Sequence, residues 1–155
     1  MNAPPLLLKH YFFTRISIEA FPPPKEDKDK SIRATSRIDT KIEKMEMENH
    51  YHVIVAVALA GEDDSYPPPY TVDVQAVGQF EVRPDWPEED KEKLVTITGS
   101  SILYGAIREQ VLTLTSRGPN TPLMLPTITF RPKQEEKTAE QPKPRRKTRK
   151  KTSEN

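Results

Sequence analysis

The alternation of residue types from position 70 to position 82 constrains the fold of this chain more than any other sequence feature. Every even position there is apolar or glycine, whereas the odd positions include Thr71, Asp73 and Gln75. Successive side chains of a β-strand point to opposite faces of the sheet, so the pattern predicts a strand with one buried face. We therefore expect a β-sheet that is covered on one side.

Three earlier segments have related patterns. Residues 10–20 alternate and then meet a run of prolines, which cannot donate to a strand ladder. Residues 51–60 are apolar on both parities, which predicts a strand covered on both faces by a helix or by a second subunit. Within residues 38–48 the apolar positions change parity, and we expect a β-bulge near Glu43 and Lys44. The charged residues 25–37 are expected to form a mobile connection.

The sequence then changes from strand to helix periodicity. Pro87 and the three acids after it predict a short helix over residues 88–95, which Gly99 would end. From Ser101 onward apolar residues recur at helical spacing, which predicts a long helix that stops at Gly118 and Pro119. Residues 123–130 are apolar and extended. The predicted fold class is α+β, a four-stranded antiparallel β meander packed with a long α-helix.

The charges divide the chain into a mildly acidic body and a basic tail. Residues 133–155 contain nine Lys or Arg and four Glu, a net charge of +5, which leaves −4 for the rest of a chain whose total is +1. We expect a flexible N-terminus at residues 1–8, one domain at 9–132 and a disordered tail at 133–155. The tail would either only keep the chain soluble or contact nucleic acid or another polyanion. The contacts would come from Arg145, Arg146, Lys147, Arg149, Lys150 and Lys151.

Several classes of function lack the residues that they need. The 155 residues include no cysteine, so disulfides and thiolate metal sites are excluded, and no apolar run approaches the ~18 residues of a membrane span. His50 and His52 would share one strand face, but no third metal ligand accompanies them. Phosphate-binding loops and nucleophile motifs are absent. We expect a cytoplasmic protein that is not an enzyme and needs no cofactor or metal.

Four motifs, in order, carry a family resemblance. Residues 70–80, Tyr-Thr-Val-Asp-Val-Gln-Ala-Val-Gly-Gln-Phe, resemble the fourth strand of the SecB family of export chaperones. Residues 102–109, Ile-Leu-Tyr-Gly-Ala-Ile-Arg-Glu, with Ser-Arg-Gly at 116–118, are similar to the family's long helix. Residues 123–130 resemble its Leu-x-Leu-x-Pro-x-x-Phe segment, and residues 15–20 its first strand.

The resemblance implies a chaperone that assembles as a dimer of dimers and holds unfolded chains without nucleotide before handing them to the SecA motor. Glu19 and Asp73 match acids of the family that contact SecA. Arg15 and Thr71 replace an acid and a leucine, which weakens the case for SecA. The family also continues into another helix after Phe130, whereas this chain continues into charged residues.

Candidate site residues follow from exposed strand and loop positions and from the resemblance. The predicted client-binding residues are Trp86, Phe12, Ile16, Met45, Met47, Leu123 and Leu125. The predicted oligomer interface consists of Leu103, Tyr104, Ile107 and Val111. For the aromatic and aliphatic strand residues, packing in the core or in a subunit interface is the competing explanation, because binding grooves and cores use the same residue types. Trp86 is the stronger groove candidate, because it is a lone indole in a polar, proline-flanked loop.

Three functions remain open from sequence. The first is an ATP-independent holdase for unfolded polypeptides, used in protein export. The second is a dedicated adaptor for one partner, such as an antitoxin. The third is a nucleic-acid-associated protein that acts through its basic tail.

Overall fold

The computed structural model describes residues 3–22, 34–62 and 67–132. They form β1 (Leu6–Ala20), β2 (Ala34–Lys44), β3 (His50–Gly61), β4 (Tyr70–Val82), α1 (Glu88–Leu94) and α2 (Ser100–Thr115). A π-helical segment, Val95–Gly99, joins the two helices. The α+β class and the four antiparallel strands are as predicted.

The order of the strands across the sheet is β1-β4-β3-β2. Strands β2, β3 and β4 form a meander, but β1 pairs with β4 and not with β2, which corrects the simple four-strand meander. Residues 21–33, which connect β1 to β2, are too many for a tight hairpin, so consecutive strands need not be neighbours. Both β1 and β2 are therefore edges of this sheet.

Strand β1 is longer and less regular than its sequence indicated. It begins at Leu6, which is buried and pairs with Val82, so residues 6–8 belong to the sheet and not to a flexible N-terminus. Its register shifts at Lys9 and again at Thr14. Each bulge adds one residue and exchanges the two faces of the strand from that point.

Strand β2 ends at Lys44 in a continuous register that has no bulge. The parity change that predicted a bulge arises because the two methionines after it, Met45 and Met47, lie in the β2–β3 hairpin. In that hairpin the amide of Met45 donates to the carbonyl of His50. Asn49 has a φ of 60°, a left-handed conformation that asparagine tolerates in turns.

The helical region is one continuous run from Glu88 to Thr115. Gly99 does not end a helix, and Ser101 does not cap a new one, because both lie inside this run. A Cβ on Gly99 would be 3.1 Å from Cγ2 of Val53, so the glycine lets the helix approach the sheet closely. The hydroxyl of Ser101 donates to the carbonyl of Ile97 at 2.6 Å, which satisfies an acceptor in the π-helical segment.

The core lies between α2 and the even-numbered face of β4 together with the odd-numbered face of β3. Helix α2 crosses β4 and β3 and touches β1 at one side. The fully buried side chains there include Phe80, Leu103, Ile107, Val74 and Val55. The opposite face of the sheet has no helix against it among the described residues.

Tyr70 ties the end of α2 to the sheet. Its hydroxyl, with one hydrogen to donate, lies 3.2 Å from the carbonyl oxygen of Thr115 and 3.1 Å from that of Asn120, and the side-chain amide of Asn120 donates to the carbonyl of Pro69 at 2.9 Å. Gly118 lies directly against the phenol, where a Cβ would be 2.3 Å from the Tyr70 hydroxyl oxygen. Only a residue without a side chain fits beside this hydroxyl.

We expect Gly118→Ala to lower the free energy of unfolding by about 1–3 kcal/mol, since the added methyl must displace Tyr70 from its acceptors. Gly105→Ala is the matched control, because a Cβ there meets nothing within 4 Å. In the exposed middle of α2 this control should stabilise by about 0.5–1 kcal/mol. Urea unfolding followed by circular dichroism measures both. Equal effects of the two changes would contradict the close contact at Gly118.

Candidate polypeptide-binding surfaces

Large apolar side chains remain exposed along the helix-covered face at β1. Leu103 lies over Gly78, which pairs with Tyr11, and Thr115 lies beside Tyr70, which pairs with Ala20. Helix α2 therefore runs alongside β1, and both elements leave apolar residues in solvent. We call this the β1–α2 surface, and its exposed residues are Tyr11, Ile16, Ile102 and Leu114.

A second apolar group lies on the opposite face of the sheet, the outer face. Phe12 is 48% exposed and pairs with Val77, which pairs with Ile54, so a short apolar row crosses three strands. Leu7 is exposed on the same face. Because of the bulge at Thr14, Phe12 and Ile16 lie on opposite faces, although both positions are even-numbered and were predicted to share a face. These two predicted client-binding residues cannot belong to one groove.

Ion pairs cover most of the remaining outer face. Arg15 Nε lies 2.8 Å from Oδ1 of Asp73, and Lys9 Nζ lies 3.0 Å from Oε2 of Glu81. Two further pairs, Arg37 with Asp39 and Lys41 with Glu43, lie along β2. Each pair is exposed and contributes little to stability. In each pair a basic side chain lies against an acid of this face, and Asp73 is one of these acids.

Of the two predicted motor-contact acids, the structure brings only Asp73 to the centre of the sheet. Glu19 is exposed near the end of β1 and pairs in register with Thr71. Arg15 interacts with Asp73 across the two strands that carry them. The acid that the sequence singled out is thus bound to the very residue that departs from the family pattern.

Trp86 borders a cavity of about 280 Å³ that Asp90, Lys93, Leu94 and Ile97 also line. The indole is half-buried and packs against the core, while its Nε1 is buried with no acceptor among the described residues. A buried donor without a partner is costly. Trp86 thus lies beside a mostly apolar cavity, and its buried N–H makes no hydrogen bond with the described residues.

The remaining predicted client-binding residues are distributed over two other places. Met47 is exposed and Met45 half-buried in the β2–β3 hairpin. Leu123 is half-buried, whereas Leu125 is only 5% exposed and belongs to the core cluster. The candidate residues therefore do not converge on one site.

The predicted oligomer-interface residues all lie inside the protomer. Their side chains are buried against the chain's own sheet, so they have no surface to offer a partner, and the assignment is corrected. These residues are Leu103, Tyr104, Ile107 and Val111. Helical spacing identified a buried stripe correctly but could not tell a core from an interface. Ile102 and Leu114 are the exposed apolar residues of α2.

Charged groups fix the beginning of α1 to the β2–β3 hairpin. Lys91 Nζ donates to Oδ1 of Asn49 at 2.7 Å and also to the carboxylate of Glu88. The hydrogen bond between Lys91 and Glu88 lowers the pKa of the Glu88 carboxyl and raises that of the Lys91 ammonium, so both groups stay charged near neutral pH. Lys91 is therefore a positioning residue of the helix, although nothing in its sequence context marked it.

Some of the predicted residues lie in parts of the chain that the structure does not describe. The six tail residues predicted to contact polyanions lie outside the described residues, as do residues 1 and 2. Within the described ranges, no helix is long and apolar enough to cross a membrane, and no cluster of His, Asp or Glu has the arrangement of a metal site.

Of the comparisons with known proteins, one identifies a family. The model of the SecB family, described as preprotein translocase subunit SecB, matches residues 1–141. A SecB-like chaperone from Mycobacterium tuberculosis, solved in complex with a peptide from an antitoxin, is similar in structure, with a TM-score of 0.60 and 20% identity, covering 82% of this chain and 92% of that one. A Streptococcus agalactiae protein of unknown function gives a TM-score of 0.42 at 9% identity, over 79% of this chain and 97% of that one. No curated protein matches the sequence.

We expect Trp86→Phe to change the free energy of unfolding by less than about 1 kcal/mol, because it removes a buried donor that has no acceptor. Trp86→Ala is the comparison and should cost about 3 kcal/mol through the lost packing. Chemical unfolding followed by circular dichroism measures both without using the lone tryptophan as a probe. If the phenylalanine variant were as unstable as the alanine variant, the indole N–H would have to hold a hydrogen bond.

Proposed function

This chain belongs to the SecB family, and we propose that it is an ATP-independent chaperone that holds unfolded or non-native polypeptides. The observation that carries the proposal is that this chain, a member of the SecB family, leaves a set of large apolar side chains exposed to solvent. A monomeric domain gains nothing from exposing Tyr11, Ile16 and Ile102 along one surface unless a partner covers them. A cytoplasmic site of action belongs to the same proposal.

The chemistry of these surfaces suits clients of varied sequence. Apolar contact is non-directional, so it accepts many side chains. Met47 and Met124, the second of which is 66% exposed, are flexible and polarisable enough to adapt to different partners. Hydrophobic contact would supply the affinity.

A homo-oligomer, dimer or tetramer, is part of the proposal. The β1–α2 surface lies at an edge strand whose outer backbone groups have no strand partner among the described residues. Association through such an edge would satisfy those backbone groups. The buried residues of α2 would contribute to such an interface only indirectly, by packing in the core behind it. These residues are Leu103, Tyr104, Ile107 and Val111.

Service to a single partner is the second candidate function, and the ion pair between Arg15 and Asp73 favours it over export through SecA. A partner that reads acidic residues on the outer face would find Asp73 neutralised by a neighbouring guanidinium. The structurally similar M. tuberculosis chaperone was solved with an antitoxin peptide, which is a precedent for one dedicated polypeptide client.

We expect the protein to suppress aggregation of an unrelated denatured protein at near-stoichiometric amounts of oligomer, because its exposed apolar surface competes with self-association of the client. Light scattering after dilution from denaturant measures this for the full chain and for a truncation after Pro132. Equal suppression by both forms would leave the basic tail without a role in holding clients. No suppression of any unrelated protein by the folded chain would overturn the general holdase and leave the dedicated adaptor.

We expect Arg15→Glu combined with Thr71→Leu to raise the affinity for SecA at least tenfold, since it frees Asp73 and restores the acid and the leucine of the family pattern. Arg37→Glu is the matched control, because Arg37 also pairs with an acid on the outer face but lies on β2. Titration calorimetry with SecA measures the three proteins. Equal affinity of the double variant and the control would show that Arg15 does not limit this contact.

A further inference from the structure

The hairpin between β2 and β3 brings a methionine and a histidine side by side. The amide of Met45 donates to the carbonyl of His50 at 2.9 Å, and this pair continues the register in which Lys44 lies opposite Tyr51. Residues directly opposite each other in two antiparallel strands point to the same face, with their β-carbons about 5 Å apart. The side chains of Met45 and His50 are therefore neighbours.

This pair lies on the outer face of the sheet. Lys44 points toward the helices, since its Nζ is 3.5 Å from Oε1 of Glu88, and successive strand residues point to opposite faces. Met45 therefore points away from the helices. His50 pairs in register with Glu81, one of the acids already placed on the outer face.

Met47 adds a second thioether at the tip of the same hairpin. Its carbonyl accepts the amide of His50 at 3.2 Å, so the two residues are joined across the turn. The side chain is 59% exposed, unbranched and flexible, so its sulfur can turn toward the imidazole. Two thioethers and one imidazole can thus meet at a single point.

The imidazole of His50 is oriented so that one nitrogen remains available to a ligand. Its Nδ1 lies 2.8 Å from the carbonyl oxygen of Glu48, and since a carbonyl only accepts, Nδ1 carries the proton of the neutral ring. Nε2 then has a free lone pair. The carboxylate of Glu81, 3.9 Å from Nε2, is itself an acceptor and cannot occupy it. A backbone hydrogen bond at one nitrogen is common in histidines that bind a metal through the other.

The turn that carries these groups is fixed on both sides. The carbonyl of Asn49 accepts the amide of Val82 in β4 at 2.8 Å, and its side-chain Oδ1 accepts Nζ of Lys91 in α1 at 2.7 Å. The hairpin tip is thereby attached to the sheet and to the helical region at once. Ligands presented by a fixed backbone lose less conformational entropy when they bind an ion.

We propose that Met45, Met47 and His50 form a binding site for a soft monovalent metal ion, Cu(I). Thioether and imidazole ligands together favour Cu(I) over hard divalent ions. The methionines supply the further ligands that the sequence pattern of His50 and His52 lacked. Within the described ranges no group of three His, Asp or Glu could hold a metal, so the site depends on the thioethers. It is separate from the proposed holdase function and does not depend on it.

Two other properties of the chain suit this ion. The sequence has no cysteine, so no thiolate competes with the thioethers for a soft metal. Glu46 and Glu48, which flank Met47, are exposed and bring negative charge to the hairpin tip. Nearby carboxylates raise the local concentration of any cation. The soft ligands then select among the cations that approach.

The test uses the full chain with ¹³C-labelled methionine methyl groups, and silver(I) as a soft probe that air does not oxidise. An equimolar amount of silver in chloride-free buffer should shift the methyl resonances of Met45 and Met47 and the ring resonances of His50. The methyl resonance of Met124 should stay in place. Competition with a chromogenic cuprous chelator, with ascorbate to keep copper reduced, then measures the affinity for Cu(I).

Substitutions assign the ligands. Met45→Leu, Met47→Leu and His50→Gln should each weaken Cu(I) binding about tenfold or more, since loss of a ligand costs at least as much as loss of a hydrogen bond to one. The matched controls are Met124→Leu, at an exposed methionine after α2, and His10→Gln, at an outer-face histidine of β1. Both should bind as the wild type does. Leucine nearly conserves the volume of methionine, and circular dichroism verifies each fold.

Two results would overturn the site. One is unchanged Cu(I) affinity in Met47→Leu, whose exposed side chain is not part of the core. The other is equal weakening by Met124→Leu, or silver shifts spread evenly over the methionines, which would show scattered binding to any thioether. Suppression of aggregation, measured with a metal chelator present, tests the holdase separately, so failure of the metal site and failure of the proposed function are distinguishable.

Discussion

The close contact between α2 and the sheet governs the rest of this structure. A Cβ on Gly78 would lie 2.9 Å from the side chain of Leu103, and a Cβ on Gly99 would lie 3.1 Å from that of Val53, so the helix approaches β4 and β3 at positions that have no side chain. This contact fixes the axis of α2 over two of the four strands. The sheet is wider than the helix, so the helix leaves β1 uncovered on one side and β2 on the other.

Sequence periodicity predicted the parts of this fold in which local pattern and packing agree. The alternation in β4 and the stripe of Leu103, Ile107 and Val111 gave the correct elements and the correct buried faces. It failed where one residue changes the register, since the bulge at Thr14 reverses the face of Ile16 without a visible change in composition. It also could not tell that a buried helical stripe faces the chain's own sheet, because a core and an interface require the same residues.

The candidate site was predicted less well than the fold for a related reason. Exposure of Tyr11, Ile102 and Leu114 depends on how much of the sheet the helix covers, which is a property of tertiary packing. The hydrogen bonds that Tyr104 and Arg108 donate to the carbonyls of Pro126 and Leu125 depend on which backbone lies beside the helix, and no pattern of side chains encodes that. Trp86 could be singled out, because a lone indole in a polar loop is conspicuous, but its unpartnered N–H could not.

The π-helical segment Val95–Gly99 has a consequence for how this scaffold can vary. A π-turn contains one residue more than an α-turn, so the segment separates the register of α1 from that of α2. Loss of one residue there would convert the turn to α-helix and rotate α1 by about 100° while the contacts of α2 with Gly78 stayed in place. In evolutionary terms, this turn is a point at which a change of length can turn the cavity beside Trp86 toward a new direction while α2 keeps its place, although the core contacts of Leu94 and Val95 would have to form anew.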